Sequence, residues 1–233
     1  MNTEIKNKIL YSNEVTELIT KYKADLIFLG GSRLLGLETS EENTDYDVIA
    51  IGNYNLSYWN FKDINISNIK AHVKSHNILS CINAIDKSVT ANTSDYWFLM
   101  SVPFLNNTTL YTKSTATPIL NLLNTYKKEL CILGLEGMLY NIKRDLLSKV
   151  LYKYEKAIYH FYTFYLLLEN IELHNSYEYT TEQKEFLLDL KINKYIPKGF
   201  IELLHSLKTV NPYSWRYNYS KIKREVLEAW VNT

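Results

Sequence analysis

The chain is short of cysteine, of net charge, of long apolar runs and of glycine, and each shortage closes off a class of protein. Its 233 residues hold two cysteines, Cys81 and Cys131, far apart and each in apolar surroundings. That is too little Cys/His clustering for a zinc site. It points instead to two buried free thiols in a reducing compartment, the cytoplasm. No apolar run approaches the ~20 residues that span a bilayer. The opening MNTEIKNKILYSNEV lacks the apolar core of a secretory signal. A net charge of +1 supplies no general attraction to nucleic acid. Neither of the glycine-rich phosphate signatures, GxxxxGK[ST] or GxGxxG, is present. There is no internal repeat and no low-complexity segment. What remains is a globular chain long enough to bury a core, with 46% hydrophobic and 22% charged residues.

Glycine is the informative shortage. Of seven glycines, three (Gly30, Gly31 and Gly36) fall within one seven-residue window. The full stretch reads GGSRLLGLETSEENTDYDVIAIG, with the apolar run LIFL leading in and VIAI near its end. Both runs have the length of buried strands. A strand that ends in Gly-Gly-Ser and enters a helix presents backbone N–H groups suited to an anion. Glycine allows positive φ and close approach of a phosphate. Ser32 adds a hydroxyl donor, and Arg33 follows, within reach of a phosphate or of a loop acid such as Glu38. After eight intervening residues, Gly36 is followed by Asp45 and Asp47, at i and i+2. At the start of a strand that spacing places both on one face. Two carboxylates beside a phosphate-binding turn suit a divalent cation, Mg²⁺ or Mn²⁺. Glu38, Glu41 and Glu42 read as solvated loop acids.

The remainder divides in two. Residues 1–115 read as mixed α/β. The segment NEVTELITKYK has helical spacing with Ser12 or Asn13 as its cap, and ADLIFLG and YDVIAIG are strands. INISNIKAHV reads as a third strand, residues 75–86 as a short helix, and DYWFLMSVPF is ambiguous. Residues 116–233 read as an all-helical domain. Helices are expected over 118–133, 135–148, the long KVLYKYEKAIYHFYTFYLLLENIEL, TTEQKEFLLDLK with a threonine cap and a nearby glutamine, 198–208 and 214–231.

GGSRLLG, a short gap and DYD before an apolar strand resembles the signature of the polymerase-β-type nucleotidyltransferase superfamily, hG[GS]xxxG followed by hDxD. The stretch GSRLLGLETSEENTDYDVIAI is more narrowly similar to the GSRxxGLxTxxSDYDxxG pattern of nucleotidyltransferases associated with RNA repair in bacteria and phages. The resemblance implies an α+β fold, a nucleotidyltransferase-like mixed sheet with flanking helices, followed by a C-terminal all-α helical domain. It implies a reaction as well, transfer of a nucleoside monophosphate from an NTP to a hydroxyl, with an RNA end such as a tRNA as acceptor. In that reading Asp45 and Asp47 hold the metal, and Gly30, Gly31, Ser32, Arg33 and Gly36 surround the nucleotide phosphates. A third carboxylate usually serves as base on a neighbouring strand. Asp63 fits if the strand is KDINIS, and His72 takes its place if the strand is IKAHV. The family also carries Lys, His four residues on and Arg three further. Here Lys156 and His160 stand in that spacing, and Thr163 occupies the arginine position. Two other functions use the same features: adenylylation of a protein hydroxyl, and a catalytically silent nucleotide- or RNA-binding module.

Overall fold

Why the two apolar runs become neighbouring strands follows from their alternation. In a computed structural model, which describes residues 3–38, 46–52, 62–66, 69–86, 93–147, 154–207 and 219–231, β1 (Ala24–Gly30) and β2 (Tyr46–Gly52) pair antiparallel. Leu26 and Phe28 of β1 and Ile49 and Ile51 of β2 point to one face. Ile27 and Leu29, with Val48 and Ala50, point to the other. Each face therefore demands its own cover, and burial of each large side chain contributes about 1.5–3 kcal/mol.

The second face is covered by α1 (Thr3–Leu10) and α2 (Asn13–Thr20), through Ile9, Val15 and Leu18. Ser12 caps α2, its hydroxyl oxygen accepting from the Val15 amide at 3.3 Å. The first face is covered by α4 (Ile78–Asp86) and α5 (Thr93–Ser101); the long α8 (Lys127–Leu147) packs on α5, and α9 (Tyr154–His174) on α8. One continuous core there joins residues on both sides of position 115.

The sheet has five strands in the order β3-β4-β2-β1-β5. β3 (Lys62–Ile66) and β4 (Ile69–Asn77) form an antiparallel pair where a single strand was expected. β4 lies parallel to β2, and the short β5 (Thr109–Thr112) pairs with the other edge of β1. β5 ends just before the division expected after residue 115. It follows α6 (Leu105–Thr108) and precedes α7 (Thr117–Thr125). The ambiguous DYWFLMSVPF is α5 continued by a 3₁₀ turn.

The helical half closes with α10 (Thr181–Asn193), α11 (Phe200–Ser206) and α12 (Tyr219–Val231). Thr180 and Gln183 form the capping box that the sequence suggested for α10. Cys81 and Cys131 are both buried and free, as expected. Burial pushes both thiols well above their ordinary range, and Asp95 adds to the effect at Cys81. Among the described residues no helix is long and apolar enough to cross a membrane. The mixed sheet, its flanking helices and the helical C-terminal region together make the α+β fold expected from the sequence.

Candidate functional site

The glycine turn and the second aspartate meet because of strand register. Gly30 is the Cα partner of Asp47 in the β1–β2 ladder. The next residue, Gly31, leaves the sheet at φ +74° and opens α3 (Gly31–Leu34). A Cβ on Gly31 would fall inside the Asp47 carboxylate, with Cγ only 2.9 Å away. Two independent restraints thus require glycine here, a left-handed backbone and the absence of room. Their result is a main-chain turn lying directly against a half-buried carboxylate. The expected helix N-terminus is a single turn of four residues. The dipole of so short a helix is small, and the turn's own amides carry whatever attraction it has for an anion.

Across the sheet the same row continues. Asp47 is the register partner of His72 on β4, and His72 is the partner of Asp63 on β3. Gly30, Asp47, His72 and Asp63 therefore occupy one transverse row, and positions in one row share a face of the sheet. Of the two alternatives for the third group, His72 stands on the strand adjoining Asp47. Asp63 stands one strand further out. Asp45 lies outside the described residues. Among the described residues no group of three or more His, Cys, Asp or Glu side chains gathers at one point.

Arg33 and Gly36 lie on the other side of the turn. The Arg33 guanidinium sits over the ring of Tyr46, 3.9 Å from its centroid. Tyr46 precedes Asp47 on β2 and belongs to the opposite layer of the core. Ser32 holds the turn in shape, its carbonyl accepting from the amides of Leu35 and Leu37 at 3.2 and 2.8 Å. Gly36, at φ +67°, passes beneath Lys184 of α10, whose Nζ would be 3.9 Å from a Cβ there. Lys191, two turns further along α10, donates from Nζ to the Leu37 carbonyl at 2.7 Å. Burial lowers the Lys191 pKa; Glu38 opposes that shift and the charge of Arg33 adds to it. Neither lysine was singled out from the sequence. The available signal was their i, i+7 spacing, which puts both on one helix face.

Lys156 is exposed in the first turn of α9. His160 is half-buried and stacks on Phe164, centroids 5.9 Å apart, and Phe164 meets Trp97 of α5 edge-on. Thr163 is 2% exposed. Its hydroxyl donates to the Tyr159 carbonyl, and its own carbonyl accepts from the Tyr179 hydroxyl at 2.7 Å. Position 163 points into the helical core, which accounts for a small residue where the resemblance expects arginine.

A glycine turn packed on a strand carboxylate, within a mixed sheet flanked by helices, is an arrangement suited to phosphate chemistry. No protein-family model matches the chain, and no curated protein does. Among solved structures, the chain is similar to a nucleotidyltransferase-like protein from Exiguobacterium sibiricum 255-15. The two are 13% identical, with 99% of this chain and 73% of that chain covered and a TM-score of 0.35.

Proposed function

We propose that the protein is a metal-dependent nucleotidyltransferase that moves a nucleoside monophosphate from an NTP to a hydroxyl acceptor, an RNA end such as that of a tRNA. The observation that carries this reading is the contact between the Gly31 turn and the Asp47 carboxylate. It supplies backbone donors for phosphate and an anionic oxygen ligand side by side. Asp47 is half-buried and offers oxygen donors only, which suits a hard divalent cation. Mg²⁺ or Mn²⁺ held by Asp45 and Asp47 would supply charge neutralisation and Lewis acidity at the phosphates.

The chain's own part is positioning. Amides of the Gly30–Gly31 turn and the Ser32 hydroxyl receive the β- and γ-phosphates. His72, in register with Asp47, takes the proton of the acceptor hydroxyl, and Asp63 beyond it is the alternative base. The acceptor oxygen bonds to the α-phosphorus as the bond to the β-phosphate breaks, and pyrophosphate leaves. Alignment of the two reactants and a fixed field supply most of the acceleration.

The test is a transfer assay with purified protein, Mg²⁺ or Mn²⁺, each α-labelled NTP in turn, and total RNA that includes 3′-truncated tRNA. Metal-dependent label in RNA, absent from the Asp47→Asn variant, is the expected result. Label found in protein instead would move the acceptor to a protein hydroxyl. Nucleotide binding with no transfer to either would leave a silent binding module.

A further inference from the structure

Behind the glycine turn is a cavity of about 510 Å³, enclosed by the end of β1, α3, α6 and the chain leading into α10. Leu29 and Tyr46 of one core layer and Leu34, Leu35 and Tyr179 of the other line it, and none of Gly31, Ser32 and Asp47 does. It is thus a different space from the Gly31–Asp47 contact, although Arg33 connects the two. We propose that this cavity is a second ligand site, for an anion that carries an aromatic ring and is about the size of one nucleotide.

Three observations lead there. The volume lies within the range of small-molecule pockets. The walls are aromatic on one side, where Phe104 and Tyr177 meet edge-to-face with centroids 6.3 Å apart. Rings of this kind offer a planar ligand a surface without sequence-specific demands. The cavity's cations are set deeper than its acids. Arg33 and Lys184 are half-buried, whereas Glu38 and Glu178 are exposed. Charges removed from water are screened less, so the half-buried cations weigh more there than the exposed acids. Arg33 is held in place on the Tyr46 ring. Lys191 stands close enough to Arg33 and Glu38 to feel both charges, which adds a third cation to this corner. A phosphate between Arg33 and Lys184, with its base against Tyr177 and Phe104, satisfies both walls at once.

The experiment is isothermal titration calorimetry of the full chain in EDTA, with AMP, adenosine and inorganic phosphate as separate titrants. Wild type, Asp47→Asn, Lys184→Glu and Lys184→Met are compared, each checked by circular dichroism and thermal melting. AMP is expected to bind without metal and equally well in Asp47→Asn. Adenosine and phosphate alone should each bind at least about tenfold more weakly, and Lys184→Glu should cost AMP about tenfold or more. Lys184→Met should lie between Lys184→Glu and wild type, and it decides the matter if the charge reversal does not fold. Absence of AMP binding overturns the proposal. So does binding that needs metal or fails in Asp47→Asn, since AMP then occupies the transfer site. Phosphate binding as tight as AMP, or Lys184 variants equal to wild type, overturns it too. None of these outcomes depends on whether the protein transfers nucleotides.

Discussion

Gly31 of the turn and the Gly134–Gly137 pair of α8 do the same physical thing for different ends. At Gly31 a Cβ would collide with the Asp47 carboxylate. In α8, a Cβ on Gly134 would lie 2.7 Å from the Tyr96 carbonyl and 2.5 Å from the Met100 amide nitrogen, and one on Gly137 would enter the Tyr96 ring. In each place a side chain is missing so that something else can come close. At the turn the incoming group is a charged oxygen. In the helix it is another helix, α5, through its backbone at Gly134 and through the Tyr96 ring at Gly137. The first arrangement admits a carboxylate, whereas the second fills space. The comparison teaches that glycine spacing alone does not separate the two uses; the group admitted into the gap does.

Substitutions separate the two uses. The largest effect should come from removing what the turn glycine makes room for. Asp47→Asn is expected to lower nucleotide transfer by about a thousandfold or more, with little change in melting temperature. Gly31→Ala should follow. It forces alanine into a left-handed conformation and pushes the carboxylate aside, and a misplacement of that kind costs about a hundredfold in rate. If Gly31→Ala melts early yet transfers normally once folded, the turn belongs with the helix glycines and the distinction fails.

Gly134→Ala should show the opposite pattern. Separating α5 from α8 is expected to cost about 2 kcal/mol, read by urea unfolding, while activity per folded molecule is kept. The smallest effect sharpens the same division on the helical side. Tyr179 donates to the Thr163 carbonyl, and Tyr179→Phe should cost about 1 kcal/mol. It should also flatten the alkaline limb of stability. Burial raises the pKa values of Tyr159, Tyr162 and Tyr179 above the ordinary 10.0. Stability from these neutral hydroxyls is present below pH 10 and lost as pH rises past it, because the unfolded chain ionises first. Unfolding measured from pH 8 to 11 checks this, and transfer activity should be unaffected by the substitution at neutral pH.

Much of the fold was legible in local pattern. The apolar runs of β1 and β2, the Ser12 cap and the Thr180–Gln183 box are all short-range signals, and the structure contains each of them. The hairpin of β3 and β4 was read as one strand because Ser67 and Asn68, between Ile66 and Ile69, carry none of the glycine that marks a tight turn. β5 has four residues, too few for a period to show. The site was legible in its chemistry and not in its geometry. Gly31 and Asp47 could be paired from a motif. The row that runs on to His72 and Asp63 depends on strand order, which no local pattern encodes. Lys184 and Lys191 escaped notice for a related reason: along a helix rich in charged residues they look like ordinary solvated lysines until the helix is docked.

The bond from Lys191 to the Leu37 carbonyl joins positions 154 residues apart. Synthesis at about 5–20 residues per second separates their emergence by roughly ten to thirty seconds. Throughout that interval the nascent chain carries the glycine turn without the lysine that fastens its far end. The motif is therefore written early and set late. A polypeptide cut short before α10 would display the signature without its final anchor.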